Sequence, residues 1–247
     1  KIRCFSTPFD ESAVDLLETL GCPIYKISSF EMNDLNLIRK VSKTGKPLII
    51  STGLASLDEI EKTYKTARRN GAKDITLLYC VSNYPSTIDN FNMNNLKMMK
   101  KKFKCKVGLS DHSKDPMVMT AAIACGAEII EKHIALEKQK KGFDIEFSLK
   151  GKEIREFVNN MNKSFQLFKR KNFYRDKKEM VNIQFRRSIF SIKDIKKGEK
   201  FSRENLKVIR PGYGLPPFYI NKLIGKKSPE SISKATPLNK RIINKIF

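Results

Sequence analysis

The 247 residues are 40% hydrophobic and 30% charged, the make-up of an ordinary globular chain with one or two cores. No apolar run approaches the roughly 20 residues that span a bilayer, and the opening KIRCFSTPFD lacks the basic-then-apolar layout of a signal peptide, so no membrane partner is expected and the cytoplasm is. The net charge of +23 invites a nucleic-acid reading, but the lysines are dispersed. The densest stretches, residues 97–106 and 168–178, read as solvated helix faces and a linker with no aromatic ladder, so no nucleic acid is expected either.

From the amino end, six short apolar runs recur about every 20 to 30 residues, each followed by a segment of helical character: RCFS near Arg3, IYKIS at Ile24, PLIIS at Pro47, ITLLYC at Ile75, KVGLS at Lys106 and EIIEKHI at Glu128. Runs of this kind suit parallel strands buried on both faces. Between the third and fourth, SLDEIEKTYKTARRNGA carries Ser56 as N-cap, Glu59 three residues on, and Gly71 as a stop. The expected architecture is therefore α/β, a partial (β/α)8 TIM barrel with about six of its eight strands over residues 1–172. Because the chain opens directly on a strand, the first two βα units are expected to be missing from it. Cys4, Cys22, Cys80, Cys105 and Cys125 form no CxxC pair, and four of them lie in or beside apolar runs, the setting of free thiols in a reduced compartment.

After about residue 170 the pattern changes. A basic linker, residues 173–184, leads to a smaller domain, residues 185–247, in which DIKKGEKFSRENL reads as strand, Lys-Gly turn, strand and a short capped helical turn. The RPGYGLPP stretch is too rich in Pro and Gly for regular structure.

Polar residues cluster where each apolar run ends, which in a barrel is the catalytic rim. His112 and His133, the only histidines, fall there in GLSDH and EIIEKH. Each alone would be an ordinary hydrogen-bonded histidine; both on one rim favour a shared divalent metal, with carboxylates such as Glu131 nearby and open positions for water and substrate. Thr7, Ser29, Ser51, Ser82 and Ser110, with Lys26, form a ring of hydroxyls and one cation suited to a phosphate. Glu31 and Asp144 are candidate acid–base or hydroxyl-binding carboxylates.

In this order and spacing, STPFD, KISSFE, ISTGLAS, CVSNYPS, GLSDHS, EKHIAL and FDIEFSL resemble the sialic acid synthase family over nearly the whole chain. The stretch RRSIFSIKDIKKGEKFSRENLKVIRPGYGL resembles the antifreeze-like β-clip (SAF) domain that follows the barrel in those synthases. The resemblance implies an enzyme that condenses phosphoenolpyruvate with an open-chain N-acetylated amino sugar to give a nine-carbon nonulosonic acid and phosphate. It implies Mn2+ (or Mg2+ or Co2+) on His112 and His133, and the phosphate on Thr7, Lys26, Ser29, Ser51 and Ser110. Ser82 stands where the family often has Asn. Glu31, Tyr84 and Asp144 would contact the sugar, and Arg210 would reach it from the partner of a homodimer with exchanged C-terminal domains. Phe30, the CxSxYP string and RPGxGLPP look most like the pseudaminic acid branch, whose sugar would be 2,4-diacetamido-2,4,6-trideoxy-altrose. The competing expectations are an N-acetylneuraminate or legionaminate synthase, a non-catalytic sugar-phosphate-binding barrel and a basic nucleic-acid-binding module.

Overall fold

The computed structural model describes residues 2–246. It divides into two compact units, Lys1–Lys171 and Asn172–Phe247.

In the first unit strands and helices alternate: α1 (Glu11–Thr19), β1 (Tyr25–Ile27), α2 (Leu35–Lys43), β2 (Leu48–Ser51), α3 (Leu57–Arg69), β3 (Ile75–Cys80), α4 (Asn94–Phe103), β4 (Lys106–Asp111), α5 (Pro116–Ala124) and β5 (Ile129–Lys132). The five strands form one parallel sheet in the order β1-β2-β3-β4-β5. The run at RCFS, expected as a sixth strand, contributes only an isolated parallel bridge from Ser6 to Tyr25. The run EIIEKHI divides: β6 (Ile134–Ala135) leaves the sheet and pairs with β7 (Leu149–Lys150), which precedes α6 (Lys152–Phe168).

The helices start where the sequence provides caps. Ser56 and Glu59 close a reciprocal capping box at α3, and Asp34 accepts the amides of Asn36 and Leu37 at α2. One helix face packs on the sheet: Leu37, Ile38 and Val41 of α2 and Leu96, Met99 and Phe103 of α4 are buried with Ile27, Ile50, Leu77 and Leu109. The α4 lysines stay outside, where Lys100 and Lys102 pair with Glu128 and Glu61.

The sheet is curled. Four inter-strand steps of about 4.8 Å would separate β1 from β5 by about 19 Å if it were flat, yet Lys26 Nζ on β1 lies 3.5 Å from Glu131 Oε1 on β5. The fold is thus a parallel half-barrel, with both side chains meeting across its lumen. At Gly108 the strands pass closely, since a β-carbon there would stand 2.4 Å from the Ile129 carbonyl and 2.6 Å from Leu78 Cδ2.

In the second unit β8 (Ser188–Ser191) and β9 (Leu206–Ile209) are antiparallel, over a core of Ile189, Phe201, Leu206, Leu223 and Leu238. The Lys-Gly turn does not join two strands that pair with each other. Ile195 and Lys200 instead bridge to Ile232 and Lys227. Residues 173–184, expected as a linker, include the short helix α7 (Lys177–Met180). The unit also contains α8 (Ile220–Leu223), α9 (Lys240–Ile246) and short 3-10 turns at Val181–Phe185 and Pro217–Tyr219. Among the described residues no helix is long and apolar enough to cross a membrane.

Candidate active site at the carboxyl ends of the strands

The register places the chemical side chains. Ser110 on β4 faces Glu131 on β5, and their side chains are joined by a 2.7 Å hydrogen bond that Ser110 Oγ donates. Glu131 also receives Lys26, whose side chain is nine-tenths buried and whose ammonium donates to the Ile27 carbonyl at 3.2 Å. A carboxylate thus joins two of the groups read from the sequence as phosphate ligands, so Glu131 is a bridging group here rather than a carboxylate free beside the histidines.

Three further hydroxyls surround the loop after β2. The Gly53 amide donates to Ser29 Oγ at 3.0 Å. A β-carbon at Gly53 would lie 2.7 Å from that oxygen and 2.2 Å from Ser82 Oγ. Ser51 Oγ and Ser82 Oγ are buried without a hydrogen-bond partner, a condition costing about 1–3 kcal/mol per group unless something is bound there. Thr7 is half-buried just after the Ser6 bridge.

The histidines lie side by side. Their ring centroids are 5.2 Å apart and nearly perpendicular, at 73°. His112 is buried, and its Nδ1 lies 2.9 Å from the Val81 carbonyl, an acceptor that selects the tautomer with the proton on Nδ1, in which Nε2 has the lone pair. Burial holds the His133 pKa below the usual imidazole range; the neighbouring His112 adds to this, while Asp144 and Glu131 oppose it. The neutral form that results is the one able to bind a metal. Asp144 Oδ2, at 3.7 Å from His133 Nδ1, is too far for a hydrogen bond. Among the described residues no group of three or more His, Cys, Asp or Glu side chains is placed to hold a metal ion, and the two imidazoles stand without a third such group.

Tyr84 stacks on His112, with centroids 4.2 Å apart, and burial, followed by Cys80, Asp144 and Glu131, raises its phenol pKa. Phe147 packs against both histidines, at 5.1 and 5.8 Å, and against Tyr84 at 5.9 Å. Glu31 accepts a hydrogen bond from Ser28. Arg210 directly follows β9 in the second unit, exposed, and its side chain has no partner among the described residues. The sequence reading passed over the Gly53 amide, Phe147 and the Asp111–Lys132 ion pair. The first had a signal in ISTGLAS, where a glycine permits close approach to the serines.

Sites at the carboxyl ends of parallel strands in such a curled sheet are those of (β/α)-barrel enzymes, and that is the class the fold defines. The family follows from comparison with known proteins. The model of the NeuB family matches residues 1–173, and that of the SAF domain matches residues 186–240. The chain belongs to the NeuB family, the family of the sialic acid synthases its motifs resemble. It is 39% identical to pseudaminic acid synthase of Campylobacter jejuni over 94% of its own length and 67% of the relative's. It is also 39% identical to the N,N'-diacetyllegionaminic acid synthase of that organism, over 91% and 68%. The crystal structure of N-acetylneuraminic acid synthetase from Leptospira borgpetersenii superposes with a TM-score of 0.68 at 31% identity, over 73% of this chain and 63% of that one. The chain is an enzyme of the nonulosonic acid synthase class.

Proposed function

We propose that this chain condenses phosphoenolpyruvate with open-chain 2,4-diacetamido-2,4,6-trideoxy-altrose, giving pseudaminic acid and phosphate, in the cytoplasm. The observation that carries the reading is the unpaired, buried Ser51 and Ser82 hydroxyls beside the Gly53 amide, a donor-rich recess on the same rim as the histidine pair. Lys26, Ser29, Ser51, Ser82, Ser110 and Thr7 hold the phosphate. Lys26 supplies the charge, and the hydroxyls orient it.

The residues also fit a divalent cation. His112 Nε2 is left as a lone-pair donor, His133 is held neutral, and with only two protein ligands the site stays open. When bound, Mn2+, Mg2+ or Co2+ would act as a Lewis acid on the sugar aldehyde. Tyr84 packs on His112 with the rings tilted by 31°, and its phenol contacts the sugar. Glu31 and Asp144 bind sugar hydroxyls or amides, and buried positive charge at Lys26 stabilises the oxyanions that develop at the rim. In the bond changes, C3 of phosphoenolpyruvate attacks the aldehyde carbon, water adds at C2, and phosphate leaves with C–O cleavage.

The working form is a homodimer in which the SAF domain of one subunit supplies Arg210 to the sugar on the other. A legionaminate or N-acetylneuraminate synthase is the second reading, favoured by the equal identity to the legionaminic acid relative. Turnover with each of the three candidate sugars, followed as phosphate release, tests both. Release confined to the trideoxy-altrose supports the first reading. Release confined to another sugar supports the second, and no release with any sugar sinks both.

A further inference from the structure

Asp111 closes β4 and Lys132 closes β5, and the two are register partners. Each is followed directly by a histidine. Because side chains alternate across a strand, this pair and the imidazoles lie on opposite faces, with the histidines on the same side as Ser110 and Glu131. The ion pair is deeply buried, its side chains 1% and 7% exposed, with Lys132 Nζ 3.0 Å from Asp111 Oδ2. Asp111 Oδ1 accepts the Ser113 amide at 2.8 Å, and Lys132 also donates to the Ser113 carbonyl. Lys132 thus ties the end of β5 both to Asp111 and to the turn that follows His112, and Asp111 holds that turn in place.

A buried ion pair is poor material for stability, because well-packed apolar side chains of similar volume often do as well. Its better-attested use is to fix one arrangement among several. Here the need is specific. β5 is a four-residue strand that is only half-buried and pairs with β4 alone within the sheet, and a slip of one residue would turn His133 out of the lumen. Beyond the pair lies a cavity of about 330 Å³ lined by Asp111, Lys132 and Phe147 with Glu153 and Glu156 of α6. Phe147 lines that cavity and also packs on both imidazoles.

We propose that the Asp111–Lys132–Ser113 clamp is a positioning device for the histidine pair, holding His112 and His133 at one relative placement from the opposite face of the sheet. Only the cobalt arm of its test rests on the proposed metal-binding role of that pair. The test compares the full chain with Asp111→Asn/Lys132→Met, which removes both charges together, and with Asp111→Asn alone. Long-range 1H–15N spectra report the tautomer of each imidazole, and ring-to-ring NOEs report their separation. Co2+ titrations read by visible absorption report what the pair can bind.

The expected result for the double variant is cooperative thermal unfolding with a lost or weakened His112–His133 NOE and shifted imidazole signals. Co2+ affinity should fall roughly 10- to 100-fold, the usual effect of removing groups that orient ligands. A double variant that folds with unchanged tautomers, NOE and Co2+ affinity overturns the proposal. Should the double variant not fold, Asp111→Asn decides by the same signals, since its amide can still accept from Ser113: shifted signals support the clamp and unchanged ones overturn it. A wild-type chain that binds no Co2+ overturns the metal reading of the histidines, and the NMR comparison then decides the clamp by itself.

Discussion

Lys26 and Glu131, 105 residues apart in sequence and on the two outermost strands of the sheet, meet across the lumen at 3.5 Å. The carboxylate holds the ammonium where a phosphate is expected. Glu131→Gln should therefore tighten binding of inorganic phosphate several-fold by calorimetry, by removing an anion that competes for Lys26 and Ser110. Lys26→Met should weaken it by about 1.5–3 kcal/mol, the range for a charged hydrogen bond. Unchanged affinity in both would place the phosphate elsewhere.

Gly53→Ala tests the serine recess. The added β-carbon cannot coexist with Ser82 Oγ at 2.2 Å, so both neighbouring hydroxyls must move. Phosphoenolpyruvate KM should rise by roughly tenfold or more while Tm falls by only a few degrees, the scale of about 1 kcal/mol in a protein of this size. A variant with native KM would show that the recess is not used.

His112→Ala should abolish Mn2+ binding, because one imidazole of the pair is lost and no third protein ligand stands ready among the described residues. Isothermal titration of wild type and variant gives the comparison, and equal affinities would remove the histidines from the metal site.

Glu61 offers a pH test remote from the rim. Hydrogen bonds from Lys102 and then Lys65 lower its pKa from 4.5 to about 2. A carboxylate with a depressed folded-state pKa contributes stability that is fully present above its unfolded value and is lost as pH falls from about 4.5 towards 2. Glu61→Gln should flatten the stability profile in that window and leave it parallel to wild type above pH 5. Parallel curves throughout would mean the pair is too solvent-screened to matter.

Arg210 is tested by subunit exchange. An Arg210→Ala protein mixed with a His112→Ala protein should regain activity, since one site of the mixed dimer carries both lesions and the other carries neither. No recovery despite confirmed exchange would confine the arginine to its own chain or remove it from the site.

What the sequence disclosed and what it hid differ by range. The α3 boundaries were legible because Ser56 and Glu59 are three residues apart and cap each other directly. The histidines were legible because strand ends advertise themselves by a change from apolar to polar. The RCFS run misled because a strand needs a partner along its length, and beyond Ser6 the described chain gives it none. Neither Lys26–Glu131 nor Asp111–Lys132 could be read, since curvature and register assign those partners. Yet opposite charges immediately before two histidines, in SDH and EKH, were a visible hint of the second pair.

Gly108 gives the site a dependence on a residue that no substrate touches. It sits on β4 two residues before Ser110 and four before His112, where the backbone of β5 passes too close for any side chain. Any replacement must push β5 away, and the displacement would carry Glu131 and His133 with it. Selection for catalysis would therefore act on the absence of an atom in the barrel wall as strictly as on the presence of a ligand, and damaging variants should be sought beneath the rim as well as on it.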